Sequence, residues 1–91
     1  MSYYCGFNLE KEHFLLYDDD SHLAYIGASK IKNTSIEVSL KKFKDNNTNS
    51  FKINKKTFNE LMNFDQYKVI DMIKEKNMEF ISKYEIEEWL I

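Results

Sequence analysis

The run LKKFKDNNTNSFKINKKTF, residues 40–58, carries six lysines and one aspartate in a chain whose formal net charge is −2. An ammonium group is a mobile point charge, so lysines grouped in this way suit phosphate. The chain contains no arginine, so it lacks the planar fork that reads guanine or clamps a carboxylate. A nucleic-acid contact built here is expected to tolerate many base sequences. The candidate contacts are Lys30, Lys32, Lys41, Lys42, Lys44, Lys52, Lys55 and Lys56 for phosphate. Phe43 is the candidate for stacking on a base, and Asn46 and Asn47 for hydrogen bonds. The near-neutral total hides this centre: residues 1–29 sum to −4, residues 30–56 to +6 and residues 57–91 to −4. An AT-rich genome, whose codons favour Lys, Asn and Ile, accounts for the missing arginine and proline without any ligand.

Other chemistry lacks a constellation. Asp18, Asp19, Asp20 and His22 lie close together in the sequence and Glu10 and Glu12 precede them. They have neither EF-hand spacing nor a glycine at the required turn, so a solvated acidic turn is expected rather than a metal site. His13, His22 and Cys5 fall in no nucleophile or metal motif. Gly6 and Gly27 are the only glycines, too few for a phosphate-cradling loop. No catalysis, metal or cofactor is expected. A single cysteine rules out an internal disulfide and suits a reducing, intracellular setting such as a host cytoplasm or nucleus. The first residues carry no signal-peptide pattern, and no stretch approaches the roughly 20 apolar residues of a membrane span.

Ninety-one residues, 43% of them hydrophobic and 15% aromatic, suffice for one core, so residues 1–91 are expected to form one domain. SYYCGFN and EHFLLYD are short, aromatic-rich runs that predict two strands joined by a turn around Leu9 to Lys11. DDDSH predicts a loop and HLAYIGA a third strand, bulged or bent at Gly27. In SIEVSLKKF, Ile36, Val38 and Leu40 alternate with Glu37, Ser39 and Lys41, which predicts a half-buried antiparallel strand. SFKIN repeats the alternation with Phe51 and Ile53 inward.

The period then becomes helical. Thr57 and Glu60 have capping-box spacing ahead of Phe58, Leu61 and Met62. Val69, Ile70, Met72 and Ile73 extend the helix, or a second one, to about residue 76, with a kink near Asp65. Ser82 and Glu85 repeat the capping-box spacing before a terminal helix over about 83–90. Tyr67, Ile70, Ile73 and Trp89 are either core or a dimer surface. The fold class is therefore α+β: an antiparallel sheet of about four to five strands over residues 2–54, then helices over residues 55–90.

Pairing the last two strands so that Leu40 faces Ile53 puts Lys41 opposite Lys52, Lys42 opposite Phe51 and Phe43 opposite Ser50. Like charges in a cross-strand pair are unfavourable by roughly 0.2–1 kcal/mol, so an anion above the pair would relieve it. Two readings stay open. Phe43 stands outward among lysines as a stacking platform, or it packs under a helix while the lysines extend into water and guard an edge strand from aggregation.

The order of a strand ending in an aromatic and basic residues (IEVSLKKFK), a polar loop, a short strand (SFKIN) and a helix opening TFNELM resembles the positive cofactor four family of single-stranded-DNA-binding transcriptional coactivators. FNLEKEHFLLY looks like that family's first strand, and the likeness spans at best residues 7–75. The resemblance implies a curved antiparallel sheet followed by a helix, dimerisation, and binding of unpaired DNA without catalysis along basic ridges at Lys41, Lys42, Lys44 and Lys52. Phe58 stands where the family often has tryptophan, the loop lacks the usual glycine, and HLAYIGA and residues 78–91 have no counterpart.

The expected function is that of a small non-enzymatic protein, a homodimer, binding single-stranded nucleic acid with low sequence specificity in viral or phage transcription or replication. The alternative is a small viral or phage protein that binds and modulates a host protein through its acidic flanks and terminal helix.

Overall fold

The computed structural model describes residues 2–8, 10–26, 34–47 and 49–84. Five strands form one antiparallel sheet: β1 (Tyr3–Asn8), β2 (His13–Asp18), β3 (Leu23–Ile26), β4 (Thr34–Glu37) and β5 (Asn49–Ile53), in the spatial order β4-β3-β2-β1-β5. Four helices accompany them: α1 (Leu40–Asn46), α2 (Lys55–Leu61), α3 (Gln66–Lys74) and α4 (Met78–Lys83). The α+β arrangement expected from the sequence is the one found, with one unexpected helix inserted ahead of β5.

The β1–β2 connection turns where the composition places it. The Lys11 amide donates to Asn8 Oδ1 at 3.1 Å, and Glu12 takes a left-handed φ of 56°. DDDSH is a turn as well: the Asp20 amide donates to Asp18 Oδ1 at 2.9 Å, and His22 has φ 56°. Gly27 lies outside the described residues.

The strand expected over residues 35–43 is corrected. β4 stops at Glu37, the register partner of Leu23, where β3 begins and no further ladder partner is available. The Val38 amide still donates to His22 O at 2.9 Å, and the Tyr17 hydroxyl donates to Val38 O at 2.7 Å. Ser39 then caps a helix, its hydroxyl accepting from the Lys42 amide at 3.2 Å. The difference has a clear physical cause. Leu40 ends the two-residue alternation Ile36-Val38-Leu40 and also begins the helical stripe Leu40-Phe43-Asn47. The segment LKKFK beyond Val38 contains no β-branched residue and consists of good or neutral helix formers. β5 consequently pairs with β1, with Tyr3 opposite Ile53 and Tyr4 opposite Lys52, so the expected Lys41–Lys52, Lys42–Phe51 and Phe43–Ser50 pairs do not exist.

The sheet is covered on both faces. On one, Cys5, Phe7, Phe14 and Leu16 pack with Phe58 and Leu61 of α2, Val69, Ile70 and Ile73 of α3, and Phe80 and Ile81 of α4. On the other, Tyr17 and Ala24 pack with Phe43 of α1, flanked by Tyr4, Leu15, Val38 and Leu40. Double coverage explains why Cys5, Gly6 and Phe7 are all buried in succession although they point alternately to the two faces.

Gly6 is what lets α1 approach. A Cβ at this position would lie 2.9 Å from Asn47 Cβ and 3.0 Å from Phe43 Cζ. Overpacking costs about 1–3 kcal/mol, more than the roughly 0.5–1 kcal/mol that replacing a strand glycine otherwise returns. Gly6→Ala is therefore expected to lower the thermal midpoint; an unchanged or raised midpoint would contradict this seating of α1.

Two of the later helices start at side-chain caps three and five residues ahead of the expected boxes. Asn54 Oδ1 accepts from the Thr57 amide at 2.8 Å, so the cap is Asn54 and Thr57 lies inside α2. Asp65 caps α3, which accounts for the break expected there. Asn77 caps α4 and places Ser82 inside a helix; the remainder of the expected terminal helix, Trp89 included, lies outside the described residues. Ile70 and Ile73 are core, whereas Tyr67 is 61% exposed.

Three buried acids share a direction of shift. Burial pushes the Cys5 thiol up. Burial, with Asp19 and Asp18 nearby, raises Tyr17. Burial, with the hydrogen bond from its hydroxyl to Glu60 Oε2 at 3.1 Å, raises Tyr84. A raised acid favours the folded state fully below its unfolded value and loses that contribution as pH rises. Stability is thus expected to fall above about pH 8.5, by about 1.4 kcal/mol per pH unit once the unfolded thiol ionises. In Cys5→Ala the decline should begin only near the tyrosine range, about pH 10. Urea unfolding between pH 7 and 11 checks this, and identical pH slopes for the two proteins would contradict it.

Candidate nucleic-acid interface

The basic stretch folds as a helix, an edge strand and the start of a second helix. The candidate residues therefore separate into groups that linear order does not reveal. Phe43 is 1% exposed and stacks on Tyr17, ring centroids 4.8 Å apart and planes at 23°. The expectation of an outward stacking platform is corrected: Phe43 is the residue by which α1 grips the sheet. Asn47 is likewise buried, its Nδ2 donating to Phe43 O at 2.8 Å and its backbone amide to Lys44 O at 3.3 Å. It closes the helix and is withdrawn from solvent. Lys30 and Lys32 lie outside the described residues.

Lys41, Lys42, Lys44, Asn46, Lys52, Lys55 and Lys56 are exposed. With Leu40, Phe43 and Asn47 on the sheet, helical geometry puts Lys41 and Lys44 on one flank of α1 and Lys42 and Asn46 on the other. The first flank overlooks β1 and β5. Lys44 Nζ lies 5.1 Å from the centroid of the Tyr4 ring, and Lys52, the register partner of Tyr4, projects from the same face of the sheet. The half-buried Tyr4 ring thus has the Lys44 ammonium over it from the helix and Lys52 opposite it on the edge strand, with Lys41 one turn from Lys44 on α1. Past Lys52 the chain runs through a shallow depression lined by Tyr3, Lys52, Ile53, Asn54 and Lys55, and Lys56 follows in α2.

Among the described residues the ion pairs are Lys74 with Glu12 at 2.8 Å and His22 with Asp19 at 3.7 Å. None of the exposed lysines between 41 and 56 has a carboxylate within bonding range there. The hydrogen bond and charge of Lys74, on α3, draw the Glu12 carboxyl below its ordinary value.

Tyr4 was not identifiable as part of this surface from sequence. It reads as an ordinary strand aromatic, and only the β1–β5 register places it beside Lys52. Among the described residues no group of three or more His, Cys, Asp or Glu side chains converges as metal ligands would. No described helix is long and apolar enough to cross a membrane. Comparison with known proteins finds no matching family model, no matching curated protein and no matching solved structure.

Proposed function

We propose that the chain is a small non-enzymatic protein that binds single-stranded nucleic acid across the α1–β5 surface. The observation that carries this reading is the Lys44 ammonium over the Tyr4 ring with Lys52 as the strand partner of Tyr4, two cations that have no ion-pair partner among the described residues. Flexible ammonium groups follow a phosphate backbone without demanding one geometry. The tyrosine takes over the stacking role first considered for Phe43: when Lys44 turns to a phosphate, the ring face it covers becomes available to a base. A flexible single strand suits this short, stepped surface better than a rigid duplex.

Fluorescence anisotropy with a labelled oligothymidylate tests the proposal. With three to six lysines engaged, log K should fall with log salt at a slope of roughly −2 to −4. Homopolymers of different bases should bind with similar affinity. Absent or salt-independent binding would rule the proposal out.

A second reading, that of a protein that binds and modulates a host protein, draws support from two large apolar side chains exposed on the acidic C-terminal part, Tyr67 at 61% and Met78 at 59%. Under it, Tyr67→Ser with Met78→Ser would abolish partner binding while leaving oligonucleotide affinity unchanged.

A further inference from the structure

Beyond its lysine-bearing flank, α1 borders a cavity of about 280 Å³ on its other side. Leu15 and Ala24 floor it from the sheet, Ile36 and Val38 close one side, and Phe43 and Asn47 wall it from the helix. We propose that this cavity is a binding site for a small, flat, neutral and largely apolar molecule bearing one hydrogen-bond donor, of the class to which indole and phenol belong.

Three observations point to that class. The volume is close to the lower end for ligand pockets, and the lining is mostly apolar, as in such pockets. No lysine or carboxylate lines it, and its two remaining polar lining residues, His13 and Asn46, are exposed, so the buried part of the site holds no charged side chain to compensate a charge on the occupant. Its one deeply buried polar side chain is Asn47, 3% exposed. The orientation of that amide is fixed, because only the nitrogen can donate to Phe43 O. This leaves Oδ1 as the free acceptor, and it has no hydrogen-bond partner among the described residues. A buried acceptor without a partner is costly, and an N–H or O–H of a ligand would satisfy it. A cleft between a helix and a sheet face favours a flat molecule, and Ile36, 50% exposed, stands where such a ring would be covered. The proposal is independent of nucleic-acid binding, since Lys41 and Lys44 occupy the other flank of α1.

Indole is the probe, titrated into the full chain and followed through the methyl resonances of Leu15, Ile36 and Val38. Saturable shifts of these methyls are expected, with 1-methylindole, which lacks the N–H, binding about tenfold more weakly. Ala24→Leu should fill the floor and abolish binding. Ile36→Trp, a change at a half-exposed position on an edge strand, should do the same if Ala24→Leu fails to fold. No saturable shift up to the solubility of indole would overturn the proposal. So would equal affinity for the two indoles, or undiminished binding in Ile36→Trp.

Discussion

Replacing Lys41, Lys44 and Lys52 together with glutamine is expected to weaken binding to a single-stranded oligonucleotide about a hundredfold at 0.1 M salt and to flatten the salt slope by about 2. The size follows from counterion release. Each phosphate neutralised on a single strand contributes about 0.7 to the slope, and three such terms at 0.1 M salt amount to about two decades in affinity. The three side chains are exposed and have no ion-pair partner among the described residues, so their replacement should leave the fold intact. The matched control is Lys68, Lys76 and Lys83 replaced with glutamine. It makes the same change in net charge on the α3–α4 side and should cost several-fold less. Equal losses in the two triple variants would mean that total charge governs binding and the Tyr4 surface does not.

Phe43→Ala carries the largest expected effect on stability. Removing a fully buried phenylalanine costs about 3–5 kcal/mol, against a total of about 5–15 kcal/mol for a domain. A fall in thermal midpoint of roughly 12–40 °C follows for a chain of this size. The side chain is also the anchor of α1, through its stacking on Tyr17 and its contact over Gly6. Its loss should disperse Lys41 and Lys44 and so weaken nucleic-acid binding indirectly. Phe43→Leu separates the two possible roles. Leucine keeps most of the buried volume, so α1 stays seated and oligonucleotide affinity should remain within about twofold. Stacking of Phe43 on a base would instead predict a loss of about 1–3 kcal/mol in binding free energy for that variant. Oligonucleotide affinities measured by anisotropy for proteins of known thermal midpoint distinguish these outcomes.

The strands rich in aromatic residues, β1, β2 and β5, were legible because a short apolar run bounded by Asn, Asp or Glu has little alternative. The helical period beyond Asn54 was equally plain. What failed was the junction at Leu40, which satisfies a period of two with the residues before it and a period of 3.6 with those after it. Tertiary context decided between them: β3 offers no partner beyond Leu23, while the face of β1 and β2 carrying Tyr4, Gly6 and Tyr17 leaves room for a helix. The candidate site inherited that error. Linear charge density marked the stretch whose lysines are exposed, yet the pairing of Lys41 with Lys52 depended on a hairpin that does not form. Burial of Phe43 and Asn47 removed two residues from the surface, and Tyr4, some forty positions away in sequence, entered it through strand register alone. Exposure of Lys41, Lys44 and Lys52 survived the change of fold because charged side chains remain in water whichever backbone carries them.

The central claim, that a polyanion engages the face formed by α1 and β5, is tested most directly by mapping an oligothymidylate onto the protein through amide and aromatic NMR signals. The account predicts that the amides of Lys41–Lys44 and Ser50–Ile53 and the ring of Tyr4 shift together and saturate at one affinity, while α3 and α4 stay unperturbed. Perturbations confined to α3 and α4, with the Tyr4 ring unchanged, would contradict it.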